Sequence, residues 1–354
     1  MRIDRQQAFT GTTEADIPAA ALEVYLTRHV DGFEGPLAVA RFKGGQSNPT
    51  YKLTTPGRAY VLRRKPFGKL LPSAHAIERE FRVTSALAAQ GFPVARPLHL
   101  CTDDTIIGAA FYLMEHADGR VFWEPHAPGI IAEERSLLFD SLNDTMARLH
   151  AVDVTAAGLS DFGKPTGYVA RQIKRWSEQY RASETEAIAE MDRLITWLPG
   201  ACPASSGAAI VHGDFRVDNC IIHPTEPRVI AVLDWELSTI GDPLADFTYH
   251  LMQWFMPVSE TGAGVGSLTG HDTDPGMPSF EAYVSDYCRR TGRSSIPDLD
   301  VYMAYNFFRL AAILQGILGR VRDGTAANAQ AAEMARQVKP LAETAWAFAR
   351  KAGA

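Results

Sequence analysis

A chain of 354 residues is long enough for about two domains, and 46% hydrophobic with 21% charged residues places it among globular rather than disordered proteins. A formal net charge of −6 leaves no basic excess to displace counterions from a phosphate backbone, which excludes extended nucleic-acid binding, and no apolar run reaches the ~18 residues of a membrane span. Cys101, Cys202, Cys220 and Cys288 lie far apart without a CxxC pair, and residues 1–17 lack the apolar core of a signal peptide, so a cytoplasmic protein without a disulfide or zinc scaffold is expected.

Strand candidates at 37–42 and 50–54 flank Gly44-Gly45-Gln46-Ser47-Asn48, a turn-rich break suited to a hairpin. The stretch RAYVLRR at 58–64 predicts a third strand, ended by Pro66 and Gly68. A helix is expected over 73–90, where Ile77, Phe81, Thr84 and Ala88 recur at helical spacing before Gly91 and Pro93. Strands near 94–100 and 106–114 complete a β-β-β-α-β-β unit. From Glu115 the character changes. Leu138, Leu142, Met146 and Leu149 mark an amphipathic helix over 130–151, and helical stretches recur near 168–198, 242–255, 298–322 and 326–351. Among them sits one β insertion, 219–223 and 228–233, joined by the turn His223-Pro224-Thr225-Glu226-Pro227. The Gly-rich stretch 260–276 reads as a mobile loop. The expected architecture is α+β: a small antiparallel-sheet lobe with one helix over 1–116, and a larger helical lobe over 117–354.

The segment richest in chemistry is Val211-His212-Gly213-Asp214-Phe215-Arg216-Val217-Asp218-Asn219, followed by Val232-Leu233-Asp234-Trp235-Glu236. Phosphoryl transfer to a hydroxyl asks for a carboxylate to orient and deprotonate the acceptor, and for ligands to magnesium bridging the phosphates. Asp214 and Asn219 are five apart, the Asp-to-Asn spacing of the protein-kinase catalytic loop. Asn219 opens one strand and Asp234 ends the next, so a hairpin would set an amide beside a carboxylate. Hard oxygen ligands, with no thiolate or paired histidine nearby, favour magnesium over zinc. The run Gly262-Ala263-Gly264-Val265-Gly266 follows no clear strand, and no GxxxxGK[ST] occurs, which argues against dinucleotide and P-loop sites.

HGDxxxxN followed by a hydrophobic-strand aspartate resembles the signature of the aminoglycoside phosphotransferase and choline kinase-like superfamily, and the likeness runs over about residues 35–320. It implies a protein-kinase-like bilobal fold, ATP and Mg2+ as cofactors, Asp214 as catalytic base, and Asn219 and Asp234 as magnesium ligands. Gly44, Gly45, Ser47 and Asn48 would let backbone N–H groups approach the phosphates. Arg63 falls where the family presents a cation, usually lysine, with Glu80 on the helix to hold it. Arg63 and Lys65 share one face of an extended strand while Arg64 points the other way, so either could take that role. The backbone near Glu115 and Ala117 would pair with adenine. His212 is expected to pack and hydrogen-bond, and Asp242 to cap a helix whose first residue is Pro243.

Four stretches resemble a subgroup, the kinase module fused to or encoded with acyl-CoA dehydrogenases: GGQSNPTYKL (44–53), YVLRRKPFGKLLPSAHAIEREFRV (60–83), LDWELSTIGDPLAD (233–246) and FRLAAILQGILGRV (308–321). The implied partner is a small-molecule hydroxyl substrate, a hydroxyacyl-CoA thioester or a related hydroxy acid. The alternatives are an aminoglycoside-type acceptor and a nucleotide-binding scaffold without turnover. Residues 251–354 carry ten acidic and ten basic residues, a balance that suits a polycation poorly. Arg309 and Arg320, on one predicted helix with Tyr302 and Tyr305, are placed either to meet the anionic coenzyme A tail or to form surface and interlobe pairs.

Overall fold

The computed structural model describes residues 12–14, 16–43, 48–66, 76–203, 205–258, 266–323 and 331–354. These fall into two compact units, one comprising Met1–Trp123, Thr155–Leu159 and Asn219–Ser238, the other Glu124–Val154, Ser160–Asp218 and Thr239–Ala354. The division thus follows Trp123 rather than residue 116, and the β insertion clusters with the first unit.

The first unit contains β1 (Thr12–Glu14), α1 (Ala19–His29), β2 (Ala38–Phe42), β3 (Thr50–Thr54), β4 (Ala59–Arg64), α2 (Ile77–Ala89), β5 (Pro97–Cys101) and β6 (Phe111–Glu115). Its six strands form one antiparallel sheet in the order β1-β2-β3-β4-β6-β5. Alternation sorts the two faces. Tyr51, Leu53, Tyr60 and Leu62 are buried in one core with Leu22 and Leu26 of α1 and Leu113 of β6. On the other face, Arg63 lies in register with Thr50 on one side and Tyr112 on the other. Arg64 points into the core, where it meets the Tyr51 hydroxyl at 3.0 Å and Asp16 at 3.0 Å.

β1 and α1 went unseen in the sequence because α1 buries only Leu22 and Leu26, too thin a stripe to stand out. Likewise, β5 and β6 begin later than expected. Residues 104–108 form a turn instead, in which the Gly108 N–H donates to the Asp104 carbonyl and the Thr105 N–H to the Asp103 carboxylate. The hairpin Cys220–Ile222 with Val229–Val232 forms as expected. It joins the chain at Arg120, whose backbone N–H and C=O both bond to Ile222. A Cβ at Gly119 would lie 2.4 Å from the Ile222 oxygen, so this crossing requires glycine.

The second unit is helical: α3 (Ala132–His150), α4 (Tyr168–Ser183), α5 (Ala189–Ala201), α6 (Pro243–Leu251), α7 (Phe280–Arg290), α8 (Leu299–Arg322) and α9 (Ala331–Lys351), with a short strand pair, Ala209–Val211 against Thr239–Gly241. The single helix expected over 168–198 is two. Gln315 of α8 takes the Ser183 carbonyl at 2.7 Å, which holds the end of α4 while the chain turns. α7, also unexpected, starts at Ser279, whose hydroxyl accepts the Ala282 N–H at 3.1 Å. α8 is long and apolar enough to cross a membrane by length and composition, but most of it is buried within this unit against α4, α6 and α9. Of the expected loop over 260–276, residues 260–265 lie outside the described residues; in the remainder His271 stacks on His126 with ring centres 3.8 Å apart.

His250 on α6 is fully enclosed, its Nε2 2.8 Å from the Tyr283 hydroxyl and its Nδ1 3.3 Å from the Phe215 carbonyl. Burial favours the neutral ring and lowers its pKa from 6.5 to about 4. As pH falls, the unfolded chain therefore takes up this proton before the folded one does. The stability the neutral ring contributes is whole above pH 6.5 and is lost on descending toward pH 4. His250→Gln is expected to flatten Tm against pH across that window. A slope as steep as in the parent would assign the acid loss to other groups.

Candidate active site

In the first unit the chemistry centres on Arg63. Its Nε lies 2.9 Å from Glu80 Oε2, its Nη2 2.9 Å from Asp234 Oδ1 and 3.5 Å from Glu236. Glu80 sits on the apolar stripe of α2 with Ile77, Val83, Thr84 and Leu87, an unusual place for a carboxylate. It is satisfied there. Asn48 Nδ2 donates to Glu80 Oε1 at 2.8 Å, and the Tyr112 hydroxyl donates to Oε2 at 3.2 Å. Burial pushes the Glu80 carboxyl up, against the opposing pull of Arg63, while the surrounding carboxylates keep the buried Arg63 guanidinium charged. Lys65 instead pairs with Glu78. Between the two candidates, Arg63 faces Glu80.

Asp234 follows the hairpin with φ 64° and ψ 62°, a left-handed conformation that few residues other than glycine adopt. The turn is anchored behind it. Trp235 is buried against Phe92 and its indole N–H donates to the Val232 carbonyl at 2.9 Å. The Leu233 N–H donates to the Asn219 carbonyl at 2.8 Å, so Asn219 and Asp234 stand side by side at the hairpin's open end. Glu236, absent from the expected set, joins them through Arg63; its adjacency to Asp234 was the available signal.

Glu115 ends β6 with its carboxylate held by Arg96 and Arg58, each at 2.7 Å, which together keep it below the usual carboxylate range. Its side chain is thus spoken for. Ala117 lies two residues on, in a partly buried stretch. A hollow of about 580 Å³ borders this segment, lined by Lys52, Arg58, Glu115, His116 and Asp118. Gly44, Gly45 and Ser47 lie outside the described residues; Asn48 is buried on Glu80.

In the second unit the His212-Gly213-Asp214 loop is tied down from below. Asp246 of α6 accepts the His212 N–H at 2.8 Å and the Gly213 N–H at 2.7 Å, and pairs with His150 at 3.2 Å. Burial alone would raise the Asp246 carboxyl; the His150 contact and the loop amides outweigh it and hold it low. His212 is buried and its Nδ1 accepts the Asp214 N–H at 3.2 Å, the packing role expected of it. Asp214 itself accepts from the Tyr249 hydroxyl at 2.7 Å and lies 3.3 Å from Arg216 Nε. Asp242 caps α6 as expected, taking the Leu244 N–H at 2.9 Å. Arg309 departs from expectation: it is buried beside Tyr249 and donates to the Gly213 carbonyl at 2.9 Å, whereas Arg320 is exposed. Tyr249 and Asp246 carried no sequence signal, since helix position alone does not say which loop a side chain meets.

A small antiparallel sheet holding an arginine–glutamate pair, together with a helical unit bearing a His-Gly-Asp loop, defines a protein-kinase-like fold. The sequence pattern of the phosphotransferase enzyme family matches residues 38–283, and the chain belongs to that family. Acyl-CoA dehydrogenase family member 10 of Mus musculus is 45% identical over 338 residues, which make up 95% of this chain and 32% of the mouse protein. The chain therefore spans about a third of that relative's length. A crystal structure from Ralstonia eutropha JMP134, named provisionally as an aminoglycoside phosphotransferase, is 48% identical with a TM-score of 0.85 over 95% of this chain and 99% of that one. A thermostable aminoglycoside phosphotransferase variant in ternary complex with AMP-PNP and hygromycin B shares the fold at 17% identity and a TM-score of 0.59, over 94% and 100% of the two chains.

Proposed function

We propose that this chain transfers the terminal phosphoryl group of ATP to the hydroxyl of a hydroxyacyl-CoA or a related hydroxy acid. The observation that carries phosphoryl transfer is Arg63, held by buried Glu80 and reaching Asp234 beside Asn219. In this reading residues 1–116 bind the nucleotide. Arg63 meets its phosphates, the backbone of Gly44, Gly45, Ser47 and Asn48 cradles them, and the backbone of Glu115 and Ala117 pairs with adenine beside the 580 Å³ hollow. Asn219 and Asp234 offer the one or two hard oxygens that magnesium takes from a protein when phosphates supply more, so the donor set fits that ion. Magnesium would neutralise charge on the transferring phosphoryl group. Asp214 orients the acceptor hydroxyl and accepts its proton, with residues 117–354 holding the acceptor. That the AMP-PNP complex shares this fold supports ATP as donor.

The acyl-CoA part rests on the relatives named acyl-CoA dehydrogenase family members and on the ten-to-ten charge balance of 251–354. Neutral walls with a few arginines suit an apolar chain with an anionic head better than a polycation. The Ralstonia eutropha neighbour's name favours a second reading, an aminoglycoside acceptor. Mass spectrometry of hydroxyacyl-CoAs, free hydroxy acids and aminoglycosides incubated with enzyme and magnesium–ATP separates the two. A phosphate added to the thioester or the hydroxy acid is expected. Phosphorylation of aminoglycosides alone would transfer the assignment to antibiotics, and no ATP consumption with any acceptor would leave a scaffold.

Arg63→Ala is expected to raise KM for ATP about tenfold or more, and Lys65→Ala to change it little, because only Arg63 is fixed by a buried carboxylate. The reverse ranking in steady-state kinetics would move the phosphate contact to Lys65.

A further inference from the structure

We infer that Arg309 is a positioning residue for Asp214, acting through Tyr249 and the Gly213 carbonyl. The inference rests on Asp214 being the base of the proposed transfer. Arg309 is only 6% exposed, in the middle of α8. Its Nη2 donates to the Gly213 carbonyl at 2.9 Å, its guanidinium lies 5.0 Å from the centre of the Tyr249 ring, and that ring's hydroxyl donates to Asp214 Oδ1 at 2.7 Å. Both routes end at the same side chain. One fixes the peptide just before Asp214, at a glycine with φ 85°. The other fixes the hydroxyl that orients the carboxylate. Burial and the Asp214 charge keep the Tyr249 phenol protonated, so toward Asp214 it can only donate.

The energetics argue against a purely structural role. Among the described residues no carboxylate comes within ion-pair distance of Arg309, and its Nε is buried without a hydrogen-bond partner. A guanidinium buried with an unbonded Nε gives up much of its hydration, and part of the charge that favours it there comes from Asp214 itself, whereas a long apolar side chain would fill the same place in α8 without that desolvation. Such a violation of packing economy is expected where a site needs the group.

The test compares Arg309→Met and Tyr249→Phe with the parent enzyme, and repeats Arg309→Met in an Asp214→Asn background. Arg309→Met is expected to lower kcat roughly tenfold to a hundredfold, as loss of hydrogen bonding around a charged group does, with KM for ATP within about twofold and Tm little changed. Tyr249→Phe is expected to act in the same direction. In the Asp214→Asn background the further loss should fall below about twofold, since the group being positioned no longer acts. Hydrogen exchange of amides 212–215 should quicken in Arg309→Met without general loss of protection. If Arg309→Met does not fold, Arg309→Lys, which keeps a cation but not the planar fork, takes its place in every measurement. A full-sized loss persisting without Asp214, or unchanged loop exchange, would overturn the inference. So would a raised acceptor KM at intact kcat, which would make Arg309 an acceptor contact. Absence of any turnover in the parent would refute the transferase reading alone, and the loop exchange would then decide Arg309 by itself.

Discussion

Asp214→Asn is expected to lower kcat by about a hundredfold to ten-thousandfold, the range of a lost general base, while magnesium–ATP binds as before. Asparagine keeps the shape and an oxygen that accepts the Tyr249 hydroxyl, so the loop tied by Asp246 should hold its place. What it loses is basicity toward the acceptor and the ion pair with Arg216. Because the proton moves only during reaction, KM for ATP should change little. Single-turnover phosphorylation together with calorimetric titration of nucleotide checks both halves. Near-parental turnover would remove Asp214 from the base role.

Asp234→Ala is expected to act on the other substrate, weakening magnesium–ATP binding on the order of a hundredfold and lowering turnover with it. Two effects must be separated. Asp234 sits at φ 64°, where alanine is strained, and it also holds Arg63. Asp234→Asn removes the charge while keeping a residue that tolerates left-handed backbone, and it should show most of the same loss. Titrations with and without magnesium discriminate. The loss should appear in the presence of the ion and largely vanish in its absence. An unchanged magnesium dependence would place the metal elsewhere.

The elements most legible in the sequence were those whose burial repeats locally. Tyr51 with Leu53, and Tyr60 with Leu62, alternate as half-buried strands must, and Arg63 followed by Arg64 then falls on opposite faces. Ile77, Phe81 and Thr84 marked α2 because helix faces repeat every three to four residues. The cap at Asp242 before Pro243 was equally local. Short elements were lost. The strands Ala209–Val211 and Thr239–Gly241 have three residues each, too few for a period, and they exist only by pairing with one another.

Sequence alone determined five of the small sheet's six strands with α2, the hairpin between Asn219 and Asp234, and the five-residue spacing from Asp214 to Asn219. Tertiary structure alone decided that Arg63 rather than Lys65 meets Glu80, that the hairpin clusters with the first unit, and that Asp246, Tyr249 and Arg309 converge on one loop. The reason is range. Periodicity and capping record how a residue meets its near neighbours, whereas Arg309 meets Gly213 across 96 residues of chain, through a contact that no local pattern encodes.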